Sequence, residues 1–294
     1  MGDDVAELPS RGSRLVMKVD MLVESTDVPR GMSFRQAARK AVAMCVSDFA
    51  AKGVKPDSYM VSVGLSRRTS ARQVKDLALG LRDASEEWGL KLVGGDTNEA
   101  GELVVDCAMV GFGRRMVGRG GAKDGDVVVT SGLFGYPPSG LKILEGARAR
   151  GAFRKAALRS VLEPTPDLRL GLELGPYWTS AIDSSDGLGR CLHELARASG
   201  VGIQVQTLPA AEGLEEFAAA NRMSAKDLVL AGGEEYLIVG TVKRRSLAAA
   251  KEAASRCGGE VIEIGRVGGR KGTVVLRSGG RERPIPDVGW THLG

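Results

Sequence analysis

The sequence predicts a two-domain α/β protein. Strand-like and helix-like patterns alternate along its 294 residues, and that length suits two domains of ordinary size. A glycine-rich, basic stretch at residues 118–125 separates a first set of elements from a second. The expected division is therefore 1–118 and 119–294.

In the first set, residues 15–23 are β-like. Ser33 followed by Gln36 forms a capping-box pattern, and the helix it opens runs to Lys52 and stops at Gly53. A strand follows at 59–65. Ser70 and Gln73 repeat the capping box for a helix reaching Trp88. Residues 90–93 and 102–112 read as strands around a loop at 94–101. In the second set, a buried-type strand at 126–130 runs into a turn-rich loop at 131–138. Helical patterns cover 139–150 and 153–161, and Pro164 and Pro166 break the chain before another helix at 167–174. A strand at 178–182 leads into a helix at 187–198, closed by Gly200. Later strands are expected at 202–206, 236–242, 260–267 and 273–277, and helices at 212–220 and 246–256.

Composition narrows the function classes. Hydrophobic residues make up 43%, enough for substantial cores, whereas aromatics at 4% argue against a stacking platform for single-stranded nucleic acid. The net charge of +5 comes from Lys and Arg spread along the chain. That reads as a solvated basic surface, attractive to phosphorylated anions, rather than a nucleic-acid footprint. Cys45, Cys107, Cys191 and Cys257 form no CxxC pair, so neither a zinc site nor a disulfide framework is expected. Two histidines, His193 and His292, are too few and too distant for a histidine metal site. No apolar run approaches the ~20 residues of a membrane span. A cytoplasmic setting without a membrane partner is expected.

The acids carry the information. Asp3-Asp4 follows Gly2, Asp20 lies in a β-like run, and Asp48 falls within a helix. Asp96 follows Gly94-Gly95, Asp183 and Asp186 bracket Ser184-Ser185, and Glu234-Glu235 follows Gly232-Gly233. Several of these end a strand or open a helix, the mouths where α/β units bind ligands. Taken singly, each has an ordinary alternative as a turn, an exposed helix position or a helix N-cap. Taken together they are hard to place in a core, because an ionised carboxylate is costly to bury unpaired. Oxygen ligands of this kind suit Mg²⁺, which would let an acidic pocket hold a polyanion. There is no G-x-x-x-x-G-K-[ST] loop, no H-R-D with D-F-G pair and no G-x-S-x-G elbow. Phosphoryl transfer on metals and positioned charges needs none of them.

These motifs, in this order, resemble thiamine-monophosphate kinase, a family within the aminoimidazole ribonucleotide synthetase superfamily. The resemblance covers Gly2-Asp3-Asp4, Val19-Asp20-Met21-Leu22-Val23, Val46-Ser47-Asp48-Phe49-Ala50-Ala51 and Gly94-Gly95-Asp96-Thr97. It continues through Ala122-Lys123-Asp124-Gly125-Asp126, Ala181-Ile182-Asp183-Ser184-Ser185-Asp186-Gly187-Leu188 and Gly232-Gly233-Glu234-Glu235-Tyr236. It implies conversion of thiamine monophosphate to thiamine diphosphate by direct in-line transfer from ATP, with several Mg²⁺ ions. It implies metal ligands at Asp4, Val19 (through its carbonyl), Asp20, Asp48, Asp96, Asp183 and Asp186. Nucleotide contacts are implied at Gly95, Asp96, Arg119 and Ser185, and substrate contacts at Asp27, Glu234 and Trp290. It further implies a homodimer whose N-terminal domains, carrying ATP, Mg²⁺ and dimerisation functions, share a barrel. Two departures stand out: Lys18 and Val19 replace hydroxyl residues before Asp20, and Asp27 stands where a histidine is frequent.

The alternative is another ATP-dependent enzyme of the same superfamily. A selenophosphate synthetase should carry a reactive cysteine near its start, and none precedes Cys45. A hydrogenase-maturation member should end in cysteine, whereas this sequence ends His292-Leu293-Gly294. An aminoimidazole ribonucleotide synthetase should show a glycine-rich segment ending in Thr-Lys near Asp20, which Lys18-Val19-Asp20 is not. A non-catalytic nucleotide- or nucleic-acid-binding protein is disfavoured, because the acids would repel phosphates without Mg²⁺.

Overall fold

The computed structural model of the chain describes residues 3–10 and 13–290, so Gly2 and His292 lie outside the described residues. The first sheet contains β1 (Ala6–Ser10), β2 (Ser13–Val23), β3 (Pro56–Leu65), β4 (Lys91–Glu99) and β5 (Val104–Gly113), in the order β1-β2-β5-β3-β4. Its neighbours are antiparallel except for the parallel pair β3–β4. The second sheet contains β6 (Val127–Thr130), β7 (Trp178–Asp183), β8 (Ile203–Val205), β9 (Ile238–Val242), β10 (Ile262–Val267), β11 (Val274–Ser278) and β12 (Arg281–Pro284). Its order is β12-β11-β8-β10-β6-β9-β7. The helices are α1 (Glu24–Asp27), α2 (Phe34–Lys52), α3 (Ala71–Trp88), α4 (Tyr136–Leu144), α5 (Gly151–Leu162) and α6 (Leu168–Leu174). They continue with α7 (Leu188–Ser199), α8 (Leu214–Ala220), α9 (Ala225–Ala231) and α10 (Leu247–Arg256).

Helix α2 is the pivot. It packs on β2 and β5 of the first sheet, on β7 and β9 of the second, and on α3 and α6. A helix with this many close neighbours needs small side chains where it meets them. The sequence provides this with Ala37, Ala38, Ala41, Ala43, Ala50 and Ala51, all buried. Its ends are set as the sequence predicts. Ser33 and Gln36 complete a capping box, and Gly53 turns left-handed at φ 63° to end the helix. Ser70, Gln73 and Gly89 do the same for α3.

The expected loop at 94–101 is corrected: β4 continues through Glu99, with Gly94 to Glu99 in register against Met60 to Leu65. Glycine and polar residues are poor strand formers, but tertiary pairing overrides that preference. The helix expected at 139–150 begins earlier and ends earlier, as α4, because Pro137 and Pro138 occupy its first turn where no amide is needed. The strand expected from Tyr236 begins at Ile238, because Tyr236 is held at φ 51°. Short elements β1, α1, α9 and β12 carry too few residues for a periodic signal.

The halves approach closely where Gly171 of α6 lies on Ala50 of α2, and a methyl there would land on the Ala50 carbonyl. Gly171→Ala should therefore cost about 1–3 kcal/mol in chemical denaturation, as overpacking does. Gly101→Ala, with nothing near its added methyl, should stay within about 0.5 kcal/mol of wild type.

Candidate active site

Along β2 the side chains alternate, and Lys18 and Asp20 share the inward face with buried Val16 and Leu22. That face meets Asp48 on α2, and the Lys18 ammonium lies 3.1 Å from Asp20 and 2.8 Å from Asp48. Asp183 ends β7, and Asp4 precedes β1. Carboxylate oxygens of Asp4, Asp48 and Asp183 all lie within 4.8 Å of one another, and all three residues are buried. Two further cations face this group. Lys52 Nζ contacts Asp3 Oδ1 and Asp4 Oδ2, each at 2.6 Å, and donates to the Ala181 carbonyl at 2.7 Å. Arg119 forks onto Asp4 Oδ1 and donates its backbone N–H to Asp3 at 3.0 Å.

Charge crowding shows in the proton affinities. Burial, then the Asp4 charge, pushes Asp183 up to about 7. Burial and the neighbouring Asp183 raise Asp48 well above the usual carboxylate range. Burial works against the Lys18 ammonium, yet Asp48 and Asp20 hold its pKa above the ordinary value. Asp3 is lowered, Lys52 outweighing burial. Asp4 Oδ2 is buried with a charge nearby but no hydrogen bond of good geometry. Three hard oxygen donors in this spacing are what a divalent ion of the Mg²⁺ class can use. Asp4, Asp48 and Asp183 could hold it.

Beside this group lies a cavity of about 650 Å³ whose lining brings Asp27, Glu234 and Trp290 together with Ser185 and Asp186. The segment carrying Glu234 is clamped to the Asp183–Asp186 turn. The Glu234 and Tyr236 amides donate to the Ser185 and Ser184 carbonyls at 2.7 and 3.0 Å. Both residues hold positive φ, of 63° and 51°, and such strain collects at functional sites. Gly187, at φ 108°, lets α7 start against the Leu230 and Gly232 carbonyls. Buried Lys40 pairs with Glu234 and donates to the Asp27 carbonyl at 2.7 Å. Asp27 Oδ2 accepts the Val23 amide at 2.8 Å. Trp290 donates its amide to the Asp186 carbonyl at 3.1 Å while 52% of the residue stays exposed.

Ser185, Asp186 and Trp290 also line a smaller cavity of about 340 Å³ with Asp183 and Arg119. Arg119 in turn borders a third, of about 840 Å³, together with Asp3, Asp4, Lys18 and Val19. The three cavities thus share walls along one path past the acids. Gly95 and Asp96 sit elsewhere. Gly95 shares a ladder row with Val61, Cys107 and Asp20, three strands across. Asp96, one residue on, is therefore three strands from Asp20, a path of about 14 Å across the sheet at ~4.8 Å per strand spacing. The Val19 side chain is 60% exposed on the opposite face of the sheet, leaving its carbonyl as the group to consider.

Sequence reasoning passed over Lys40 and Lys52, yet a signal was present. Lys40, Met44, Asp48 and Lys52 recur every fourth residue, which places them on one slowly winding helix face. Lysines on a long helix otherwise rich in alanine were the clue. Ser47, whose hydroxyl donates to Asp183 at 3.2 Å, and Asp3 were the other omissions.

Asp183 gives a pH prediction. Its folded value of about 7 exceeds the ordinary 3.8, so between these the folded chain keeps a proton that the unfolded chain releases. In metal-free protein this carboxyl adds no penalty below about pH 4 and a growing one toward about pH 7. The melting-temperature gain from added Mg²⁺ should accordingly be larger at about pH 7.5 than at about pH 5. A gain that does not grow with pH would contradict the assignment.

Comparison with known proteins follows the same outline. The family described as AIR synthase related protein matches through its N-terminal domain over residues 2–112 and its C-terminal domain over 123–277. A thiamine-monophosphate kinase of Nitrosopumilus maritimus is 37% identical over 280 residues, 95% of this chain and 89% of that protein. One of Pyrococcus horikoshii is 35% identical, covering 100% of this chain and 91% of its own length. A solved complex of AaThiL with AMPPCP and TMP superposes with TM-score 0.88 at 28% identity, covering 100% of this chain and 92% of that one. The chain has the two-domain α/β architecture of these proteins, and it belongs to the thiamine-monophosphate kinase family of the AIR synthase related proteins.

Proposed function

We propose that the chain transfers the γ-phosphoryl group of ATP to thiamine monophosphate, giving thiamine diphosphate by direct in-line displacement. The observation that carries this reading is the adjacency of the buried Asp4–Asp48–Asp183 group to a cavity shaped by Asp27, Glu234 and a half-exposed indole. Mg²⁺ held by Asp4, Asp48 and Asp183, with Asp20 and Asp186 nearby, would neutralise phosphate charge there. Arg119 and Ser185 line the approach and suit phosphate oxygens as donors. In the 650 Å³ cavity, Glu234 and Asp27 offer carboxylates to a cationic ring, Trp290 offers a π face, and Arg30 offers a guanidinium to a monophosphate. Little is asked of a protein nucleophile: Cys45, Cys107 and Cys191 are buried, and burial pushes the Cys191 thiol up. A cytoplasmic setting agrees with four free cysteines, and no helix among the described residues is long and apolar enough to cross a membrane.

The homodimer belongs to the same proposal, with 1–118 as the nucleotide, metal and dimerisation domain and 119–294 as its partner domain. The outer face of the first sheet exposes Val19, Met21, Met60 and Phe112, and its edge strand β4 exposes Leu92 and Val93. Exposed apolar area of this kind favours a protein partner. A second copy joined there would form the shared barrel and give Gly95 and Asp96 a site to serve across the dimer.

Incubation with ATP, Mg²⁺ and thiamine monophosphate should yield thiamine diphosphate, with no label retained on the denatured protein when γ-labelled ATP is used. Asp48→Asn should lower kcat by roughly 100-fold or more with the fold intact; near wild-type turnover would remove Asp48 from the site. Trp290→Ala should raise KM for thiamine monophosphate by about tenfold, the equivalent of ~1.4 kcal/mol, with KM for ATP unchanged. A loss of stability with both KM values drifting together would make Trp290 a structural anchor instead.

A further inference from the structure

We infer that Lys18 is a built-in cation standing where a divalent ion would otherwise bridge Asp20 and Asp48. The inference rests on the metal-dependent kinase reading above and deepens it. Asp20 comes from β2 and Asp48 from α2, two elements packed face to face, and the Lys18 ammonium is held between them at 3.1 and 2.8 Å. Two carboxylates brought together from opposing elements would repel unless a cation lay between them. A magnesium ion at ~2.1 Å from each oxygen would occupy the position the ammonium holds. The two groups exclude each other.

Charge balance leans the same way. Asp3, Asp4, Asp20 and Asp48 touch Lys18, Lys52 or Arg119, Arg119 also reaches Glu194 at 3.6 Å, and Asp183 stands beside Asp4 and Asp48. Acids outnumber cations in this group, and an uncharged residue at position 18 would widen the excess by one and leave the position between Asp20 and Asp48 open.

Lys18 differs from the other two cations. Lys52 is fully enclosed and spends its third proton on the Ala181 carbonyl, which makes it an internal tie. Lys18 keeps about a fifth of its side chain exposed, at 21%, and lines the 840 Å³ cavity with Arg119. It is therefore positioned both to neutralise two acids and to face a polyanion arriving beside Arg119. A fixed ammonium does this without being loaded from solution.

The test counts metal rather than turnover. Mn²⁺ alone is titrated into wild type, Lys18→Thr and Lys18→Arg, and bound ion per chain at saturation is read by electron paramagnetic resonance of the free ion. Lys18→Thr should bind one more Mn²⁺ per chain than wild type, and Lys18→Arg the wild-type number. The melting temperature of Lys18→Thr should also respond more strongly to Mn²⁺ than that of wild type. If Lys18→Thr does not fold in the absence of metal, Lys18→Gln carries the same expectation. An unchanged count in the uncharged variants, or an extra ion in Lys18→Arg, overturns the assignment and leaves the kinase reading standing. Wild type that binds no Mn²⁺ would bring down the metal reading itself.

Discussion

Helix α2 carries charges through a region from which water is excluded, and the fold is arranged around that demand. Lys40, Asp48 and Lys52 are buried between two sheets and two helices. An ion moved from water to such surroundings costs several kcal/mol unless its partners arrive with it. The partners come from both ends of the chain. Lys52 takes Asp3, Asp4 and the Ala181 carbonyl, Asp48 takes Lys18, and Lys40 takes Glu234 and the Asp27 carbonyl. Moving any of these elements would strand a charge in the interior, so the network ties the placement of the two sheets to that of α2.

The same helix works as a ruler. From Lys40 to Lys52 is twelve residues, about 18 Å at 1.5 Å per residue. Lys40 and Met44 stand at the cavity that holds Trp290 and Glu234, and Asp48 and Lys52 stand at the acids that face Arg119. In the proposed reaction the acceptor and donor ends are thus set apart by a rigid element rather than by loops, and rigid placement is what a transfer reaction without a covalent intermediate depends on.

Much of this was legible in the sequence. The capping boxes at Ser33 and Ser70, with glycines at 53 and 89, located the two long helices, because caps and stops are local chemistry. The acids were legible as a set, since strand ends and helix starts are where carboxylates are otherwise expensive to explain. Pairing across the chain was not. The β4 strand was read as a loop because its glycines and polar residues have no strand preference of their own and gain one only from lying against β3. Lys18 stands out in the sequence as a departure before Asp20, but that it sits between Asp20 and Asp48 depends on which face of β2 meets α2. The separation of Asp96 from Asp20 follows from strand order, which sequence spacing does not encode.

The contact between Lys52 and residues on both sides of it has a consequence for synthesis. When the ribosome has delivered the first sheet and α2, Lys52 can already meet Asp3 and Asp4, but the Ala181 carbonyl and Asp183 are some 130 residues away. Lys40 waits longer still, for Glu234. Until then the face of α2 that will lie on β7 and β9 is open to solvent, and its charges are better hydrated than buried. The nascent N-terminal half therefore carries charges whose partners arrive only with the second sheet and with the segment bearing Glu234.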